Sequence, residues 1–253
     1  MRIAVLVPDD QAIARLGAHA RKAFNGAGHE VVLIAHPAET LSGTFSSRRR
    51  RVGFITALDE AAYCLYEGRF TPWPVALAHL GLQTLPDFEA RIEDTHSEEL
   101  GHQLQELSAD LLVAMGCTPI NTRALPADML ALNVHPGVLP RYRGVGSPEA
   151  MVRGEPCHVG YTVHRLTERL DEGDIFLRKR CPSPPDFNAP WVYLASYQSA
   201  LDALAKRIGD TSCGNWPVED DFSGVTLPSG RPLWRMTLTR IWSWRIRALV
   251  GTS

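Results

Sequence analysis

The sequence predicts an α/β protein with a Rossmann-like, doubly wound and mostly parallel sheet, followed by a small C-terminal helical and loop region. Three observations predict this class. Short apolar runs alternate with segments of helical periodicity, proline- and glycine-rich loops follow the apolar runs, and 45% of the 253 residues are hydrophobic, which is enough for one sizeable core. We expect residues 1–180 to form the main domain and residues 181–253 the appendage.

The first segments predict a strand, a helix and a second strand. Residues 2–7 form a short apolar run, residues 11–24 have helical periodicity, and residues 30–35 are again rich in β-forming types. Gly26 and Gly28 end the helix. The two strands should be parallel, because parallel neighbours are joined by helical crossovers.

A second round of the same pattern follows. Ser97 is a candidate N-cap for a helix over residues 98–107, which leads into a buried strand at residues 110–116. Another apolar strand is predicted at residues 130–135, and a helix around residues 148–153. This alternation supports the doubly wound sheet.

The last predicted segments complete the sheet and begin the appendage. Residues 159–166 and 175–180 are strand-like, the prolines after Cys181 indicate a boundary, and a helix is expected near residues 193–208. The tail beyond it carries Trp216, Trp234, Trp242 and Trp244. We expect these tryptophans to dock the tail on the main domain or on a second copy, which makes a homodimer possible.

The composition excludes several classes of function. Lys and Arg number 26 against 28 Asp and Glu, so the formal net charge of −2 disfavours a nucleic-acid partner. No apolar run approaches the roughly 20 residues of a membrane helix, and Pro8 interrupts the first run too early for a signal peptide. The five widely spaced cysteines fit neither a disulfide framework nor a metal site. We therefore expect a cytoplasmic protein with semi-buried thiols and without a metal.

Asn133 and His135 are the first candidates for catalysis. They are two residues apart at the end of a predicted parallel strand, where open α/β sheets bind their ligands. The amide can donate a hydrogen bond to a carbonyl oxygen that becomes an oxyanion, and the imidazole moves protons near neutral pH. Asp171, in a glycine-flanked loop, could orient the imidazole. From spacing alone, a purely structural role for this group remains open.

These segments resemble the signature of the folate-dependent formyltransferase family. The family pattern runs Asn-x-His-Pro-x-x-Leu-Pro-x-(Tyr or Phe)-(Arg or Lys)-Gly, then Gly-x-Thr-x-His, then Leu-Asp-x-Gly. The matching residues are Asn133, His135, Pro136, Leu139, Pro140, Tyr142, Arg143, Gly144, Gly160, Thr162, His164, Leu170, Asp171 and Gly173. The resemblance covers about the first 180 residues. It implies an enzyme in which Asn133, His135 and Asp171 form the catalytic triad.

The resemblance also implies 10-formyltetrahydrofolate as the formyl donor, with no metal. Its pterin would lie against the backbone of two loops, residues 115–121 and 167–173. The cofactor-binding residues implied in this way are Met115, Gly116, Cys117, Pro119, Ile120, Thr167, Leu170 and Gly173. His164 is expected to pack behind the triad, and Arg143 to brace the loop through backbone carbonyls.

The acceptor is approached by elimination within the family. Asp9 and Asp10 replace the glycine-rich turn that cradles a phosphate in glycinamide ribonucleotide formyltransferases. About 70 residues follow Cys181, too few for the extra domain of methionyl-tRNA formyltransferases. Formyltetrahydrofolate hydrolases have a further N-terminal regulatory domain, which is not expected here. A small amine acceptor remains, and an amino sugar, nucleotide-linked in one version, ranks first.

Residues that could serve such an acceptor lie outside the motif. Arg48 to Arg51 and Arg141 could neutralise a diphosphate, and Tyr63, Tyr66 or Trp73 could stack on a base or sugar. For the arginine run, a solvated helix start is favoured over a role in binding phosphate. Two alternatives stay open: an amino-acid-derived or antibiotic-type amine as acceptor, and a non-catalytic module that binds a folate or a nucleotide.

Overall fold

The computed structural model describes residues 1–38, 73–116, 120–141, 143, 147, 150, 158–181 and 189–210. The strands in these ranges are β1 (Arg2–Pro8), β2 (Glu30–His36), β3 (Ala90–Arg91), β4 (Leu111–Met115), β5 (Leu130–His135), β6 (Gly160–Arg165) and β7 (Ile175–Arg180). The helices are α1 (Ala14–Gly26), α2 (Trp73–His79), α3 (Glu99–Glu106) and α4 (Ala189–Asp210), with a 3-10 turn at Thr122–Ala124.

The strands form one sheet in the order β3-β2-β1-β4-β5-β6-β7. The first five strands in this order are parallel, whereas β6 runs antiparallel to β5 and to β7. The predicted Rossmann-like, mostly parallel fold is therefore confirmed. The order reverses between β1 and β4, and the carboxyl ends of the parallel strands at such a reversal are where open sheets bind ligands.

Alternation of side chains along the strands divides the core into two layers. In β1, Ile3, Val5 and Val7 join the layer that α1 and α4 cover, while Ala4 and Leu6 join the layer that α3 covers. Full burial of each such aliphatic side chain contributes about 1.5–3 kcal/mol relative to exposure. Both faces of the central strands are covered, which is why their sequences read as continuous apolar runs.

The structure departs from the predicted elements in several places. Helix α1 begins at Ala14 rather than at residue 11. Residues 11–13 form a turn that leads into it, and the Asp10 side chain accepts hydrogen bonds from the amides of Ala12 and Ile13 as an N-cap residue does. The short α2 and the two-residue β3 were not predicted, since each is too short for a period to be visible. Ser97 Oγ accepts from the amide of Glu99, close to the predicted cap.

The predicted C-terminal helix extends over Ala189–Asp210, and its buried residues, including Leu194, Tyr197 and Leu201, join the core layer beside α1. Most of the helix expected around residues 148–153 and all of the tryptophan tail lie outside the described residues. The division at residue 180 and the homodimer stay predictions. Cys181 is half-buried, and burial raises the pKa of its thiol.

None of the helices in the ranges given above is both long and apolar enough to cross a membrane.

Close packing of α3 against the 3-10 turn leads to a prediction. A Cβ atom at Gly101 would overlap the carbonyl oxygen of Ala124, whereas one at Gly26 would meet nothing within 4 Å. Gly101→Ala should lower the free energy of unfolding by about 1–3 kcal/mol through overpacking. Gly26→Ala, its control, should be neutral or stabilising by up to about 1 kcal/mol. Urea unfolding of both variants measures this, and equal effects would contradict the packing described.

Candidate active site

The candidate catalytic side chains belong to two rows of residues, here called rungs, that lie opposite one another across neighbouring strands. The two rungs are successive on one face of the sheet. Asn133 on β5 is opposite His164 on β6, and His135 on β5 is opposite Thr162 on β6 and, through it, Arg178 on β7. Residues two apart on a strand project from the same face, so both rungs point to one side of the sheet. The intervening residues Leu132, Val134 and Val163 enter the core layer on the other side. The sheet register therefore gathers these polar side chains.

Asp171 reaches this group from the connection between β6 and β7. One carboxylate oxygen, Oδ2, lies 3.4 Å from His135 Nδ1, and the other, Oδ1, lies 3.4 Å from His164 Nε2. All three side chains are buried, with at most 6% of each residue exposed. A buried carboxylate needs compensating charge or hydrogen bonds, and two imidazoles at this distance can supply both. The cluster predicted from Asn133, His135 and Asp171 is thus assembled, with His164 as a fourth member.

The side-chain amide of Asn133 is held by the same neighbours. Its Nδ2 lies 3.1 Å from His164 Nε2 and 3.4 Å from Asp171 Oδ1, and those two atoms are 3.4 Å apart. The three atoms form a nearly equilateral triangle, so the two neighbours subtend about 60° at Nδ2, while the two amide hydrogens are about 120° apart. A single amide hydrogen directed between His164 and Asp171 can serve both neighbours, which leaves the second hydrogen for another acceptor.

His164 has a defined role in this arrangement. Its Nδ1 lies 2.9 Å from the carbonyl oxygen of Arg165, which can only accept, so Nδ1 carries a hydrogen. In the neutral ring Nε2 is then an acceptor for Asn133, whereas in the protonated ring it donates to Asp171. His164 was expected to support the triad or to pack behind it, not to be its third catalytic group, and it lies in contact with Asn133 and Asp171. The signal was present in the sequence, because His164 belongs to the Gly-x-Thr-x-His segment.

The backbone around Asp171 is shaped to present its carboxylate. Asp171 has φ of 53°, a left-handed conformation that Asp tolerates better than most residues. A Cβ atom at Gly173 would overlap the carbonyl oxygen of Arg165, so glycine is needed there. Glu172 lies 2.8 Å from Arg143 Nη1, which ties this loop to the segment after His135. Arg143 was expected to brace the loop through backbone carbonyls, and its bond to the Glu172 carboxylate provides a brace of another kind.

The residues implied for folate binding divide into several groups. Met115 packs its side chain into the core, and Ile120 is also buried, so neither side chain is exposed to a ligand. Thr167 and Leu170 are exposed, and Leu170 keeps 42% of its surface accessible directly beside buried Asp171. Gly116 has φ of 63°, and its Cβ position lies 3.3 Å from Pro8 Cγ. Cys117 and Pro119 lie outside the described residues.

The two loops expected to flank a pterin are residues 115–121 and 167–173. The 3-10 turn that follows the first loop is joined to the second by an ion pair between Arg123 and Glu168. Glu168 raises the pKa of the Arg123 guanidinium, first through the hydrogen bond and then through its charge. The described parts of these loops offer backbone groups and an exposed leucine beside a polar cluster. These features fit a flat heterocycle with polar edges.

Other candidates from the sequence have mixed outcomes. Trp73 packs against the core instead of standing free as a stacking surface, and Arg141 is half-buried. Arg48 to Arg51, Tyr63 and Tyr66 lie outside the described residues. Where the structure describes the chain, no group of three or more His, Cys, Asp or Glu side chains is placed to hold a metal ion. Thr162 was noted only as part of the motif, and the sequence analysis did not single out Arg178.

Comparison with known proteins gives a family match over most of the chain. The model of a family described as formyl transferase matches residues 1–193. The methionyl-tRNA formyltransferase of Symbiobacterium thermophilum is 30% identical over 181 residues, which are 69% of this chain and 53% of that protein. The phosphoribosylglycinamide formyltransferase of Haemophilus influenzae is 32% identical over 93 residues, 35% of this chain and 43% of that protein. The chain spans about half the length of these curated relatives.

Solved structures share the fold at lower sequence identity. A sugar N-formyltransferase from a Shewanella species superposes with a TM-score of 0.51 and 17% identity, covering 95% of this chain and 87% of that one. A phosphoribosylglycinamide formyltransferase from Campylobacter jejuni gives a TM-score of 0.51 and 16% identity, covering 82% and 97%. At these identities the likeness concerns the fold alone.

The left-handed backbone at Asp171 can be tested by stability. Asp171→Gly and Asp171→Ala remove the same carboxylate, but only alanine is strained at this φ. We expect Asp171→Gly to be more stable than Asp171→Ala by about 1 kcal/mol, the reverse of the usual order of these residues. Chemical unfolding of the two variants measures the difference. An alanine variant as stable as the glycine variant would contradict the conformation.

Proposed function

The chain belongs to the formyl transferase family, and from this premise we propose that it transfers a formyl group from 10-formyltetrahydrofolate to the amine of a small acceptor. The observation that carries the proposal is the cluster at the carboxyl end of β5, in which half-buried Asn133 and buried His135 both approach the buried carboxylate of Asp171. Amide, imidazole and carboxylate in contact are the groups that acyl transfer to an amine requires.

Each side chain has one task in the proposed reaction. When bound, 10-formyltetrahydrofolate supplies an activated formyl carbon, and the amine nitrogen bonds to this carbon as the bond to the folate nitrogen breaks. Asn133 directs its second amide hydrogen to the formyl oxygen, where negative charge develops. His135, as imidazolium, stabilises the same charge and gives a proton to the departing folate nitrogen, and it recovers the proton that the attacking amine nitrogen loses, directly or through water. Asp171 favours the imidazolium through its charge.

The turn between β1 and α1 bears on the acceptor. The amides of Ala12 and Ile13, at the start of α1, donate to Asp10 Oδ1 at 2.8 and 3.0 Å. Amides in this position are the usual anion site of a βα unit, and here the chain's own carboxylate satisfies them. Asp9 adds a second carboxylate, paired with Arg91. These contacts support an acceptor without a phosphate at this turn.

Among small amines, we rank an amino sugar first as the acceptor. This sugar can be free or linked to a nucleotide. The net charge of −2 supports a small molecule over a tRNA, whose binding depends on a basic surface. Arg141 lies beside the motif and is half-buried, and its guanidinium is our candidate contact for an anionic group of the acceptor away from the β1–α1 turn. An amino-acid-derived or antibiotic-type amine is the second choice.

Formyl transfer and the triad are tested together. A panel of amino sugars, nucleotide-linked amino sugars, hydroxyornithine and peptide amines is incubated with the donor, and folate release and product mass are followed. His135→Ala and Asp171→Asn should each lower turnover about a hundredfold or more, because their roles are protonic and electrostatic. Near-normal turnover by either folded variant would contradict the triad. Activity confined to hydroxyornithine or peptide amines would overturn the sugar ranking and leave the chemistry intact.

Donor binding can be measured without turnover. We expect the protein to bind 5-formyltetrahydrofolate in the presence of a chelator, since the two loops offer backbone contacts and no metal is invoked. Isothermal titration calorimetry gives the affinity. A second sample, heated and cooled before the titration, checks whether thermal unfolding is reversible. Undetectable binding at millimolar ligand would contradict the folate site. Binding without turnover on any amine would support a non-catalytic module instead.

The turn between β1 and α1, whose amides are occupied by the Asp10 carboxylate, leads to a prediction about phosphate. Inorganic phosphate should leave the amide NMR signals of Ala12 and Ile13 unchanged in the wild type. Asp10→Gly exposes both amides and should produce a saturable phosphate-dependent shift. Asp10→Asn retains a capping oxygen and is the matched control. A saturable shift in the wild type, or none in Asp10→Gly, would contradict the exclusion of phosphate by Asp10.

A further inference from the structure

The two buried polar residues Thr162 and Arg178 continue the rung that begins at His135. Neither touches Asp171, His164 or Asn133 through any contact described above. Arginine is rarely buried unless it serves a structural or binding purpose. Their position, one and two strands away from a candidate catalytic imidazole on the same face of the sheet, calls for a physical explanation.

Both side chains bond to the backbone of residues 137–139, in the segment that leaves β5 after His135. Thr162 Oγ1 donates to the carbonyl oxygen of Gly137 at 2.7 Å and accepts from the amide of Leu139 at 3.0 Å. Arg178 Nη1 donates to the carbonyl oxygen of Leu139. One hydroxyl and one guanidinium therefore satisfy three backbone groups of this short segment.

The remaining backbone contacts show how closely this segment is tied to His135. The Gly137 amide donates to the carbonyl oxygen of His135 at 2.9 Å, so the chain turns immediately after the histidine. Val138 and Leu139 are buried, and a buried backbone group without a partner costs about 1–3 kcal/mol. The segment forms no strand, and the carbonyl of Gly137 and both polar backbone groups of Leu139 take their partners from side chains. Thr162 and Arg178 supply these partners from the strands beside His135.

We propose that Thr162 and Arg178 form a latch that fixes residues 137–139 over the sheet and so holds the His135 imidazole against Asp171. Both are positioning residues, because the contacts that make the latch are to the backbone of residues 137–139 and not to the imidazole. The catalytic meaning of the latch rests on the proposed formyl transfer, whereas its structural content does not. Threonine suits the task because its single hydroxyl both donates and accepts, and arginine because its long side chain brings a donor from the second strand.

The matched pair Thr162→Val and Thr162→Ser tests the latch. Valine keeps the volume and removes the hydroxyl, while serine keeps the hydroxyl. In Thr162→Val the amide of Leu139 should exchange with solvent about tenfold faster, the effect of losing one hydrogen bond. The Leu166 amide, which donates to Ala131 across the β5–β6 pair, is the internal control and should keep its protection. Thr162→Ser should resemble the wild type at both amides.

The consequence for His135 has its own measurement. The ring signals of His135, assigned with His135→Ala, should shift in Thr162→Val and remain near their wild-type positions in Thr162→Ser. With an active acceptor, kcat should fall about tenfold or more in the valine variant while the KM for the donor stays constant, and serine should restore most of kcat. If the valine variant does not fold, Arg178→Met takes its place in the test. This substitution removes the donor to the Leu139 carbonyl and should change the His135 signals and kcat in the same direction.

The outcomes separate the latch from the proposed function. Unchanged exchange at Leu139 in Thr162→Val, or equal effects of valine and serine, would overturn the latch. Faster exchange with unchanged His135 signals and kcat would overturn its positioning role. A wild type that formylates no amine would overturn the proposed function, yet the exchange and ring measurements would still decide whether the latch exists.

Discussion

The arrangement at the carboxyl end of β5 depends on one buried carboxylate. Asp171 has little access to water, and the cost of dehydrating it is offset by two imidazoles and an amide hydrogen. Its left-handed backbone, the missing side chain at Gly173 and the bond between Glu172 and Arg143 all serve to bring this carboxylate to its partners. Without the negative charge of Asp171, nothing would stabilise two neighbouring imidazoles in a site with so little access to water. The electrostatic requirement thus explains several local features that packing alone does not.

Much of the fold could be read from the sequence because both periodicities are strong. β5 and β7 were predicted with their observed bounds, and the sheet class followed from alternating apolar and helical segments. The antiparallel direction of β6 was not predicted, since direction depends on the path of the connecting chain and not on the strand's own residues. The predicted start of α1 was three residues early, because residues 11–13 form a turn that is capped by Asp10 and leads directly into the helix.

The candidate site was predictable in part for a similar reason. Asn133, His135 and Asp171 stand in a motif with fixed spacing, so the sequence indicated them together. The contacts of His164 and Arg178 depend on which strand lies opposite which, and register is not visible in a single strand. Acceptor recognition is least visible, because it is expected on loops whose residues follow no period. Chemistry is therefore better determined by this sequence than the substrate.

The two rungs that carry the site also have a consequence for the homogeneity of the folded protein. A slip of β6 by one residue would turn Thr162 and His164 into the apolar layer and turn Tyr161 and Val163 toward the polar cluster. Such a molecule would lose its core along with its polar cluster, so it could not persist as a folded but inactive form. The free-energy cost of placing polar side chains in the apolar layer therefore disfavours both a slipped sheet and a wrongly assembled site. A preparation of this protein that is folded should accordingly be a preparation in which every molecule carries the same arrangement of polar groups.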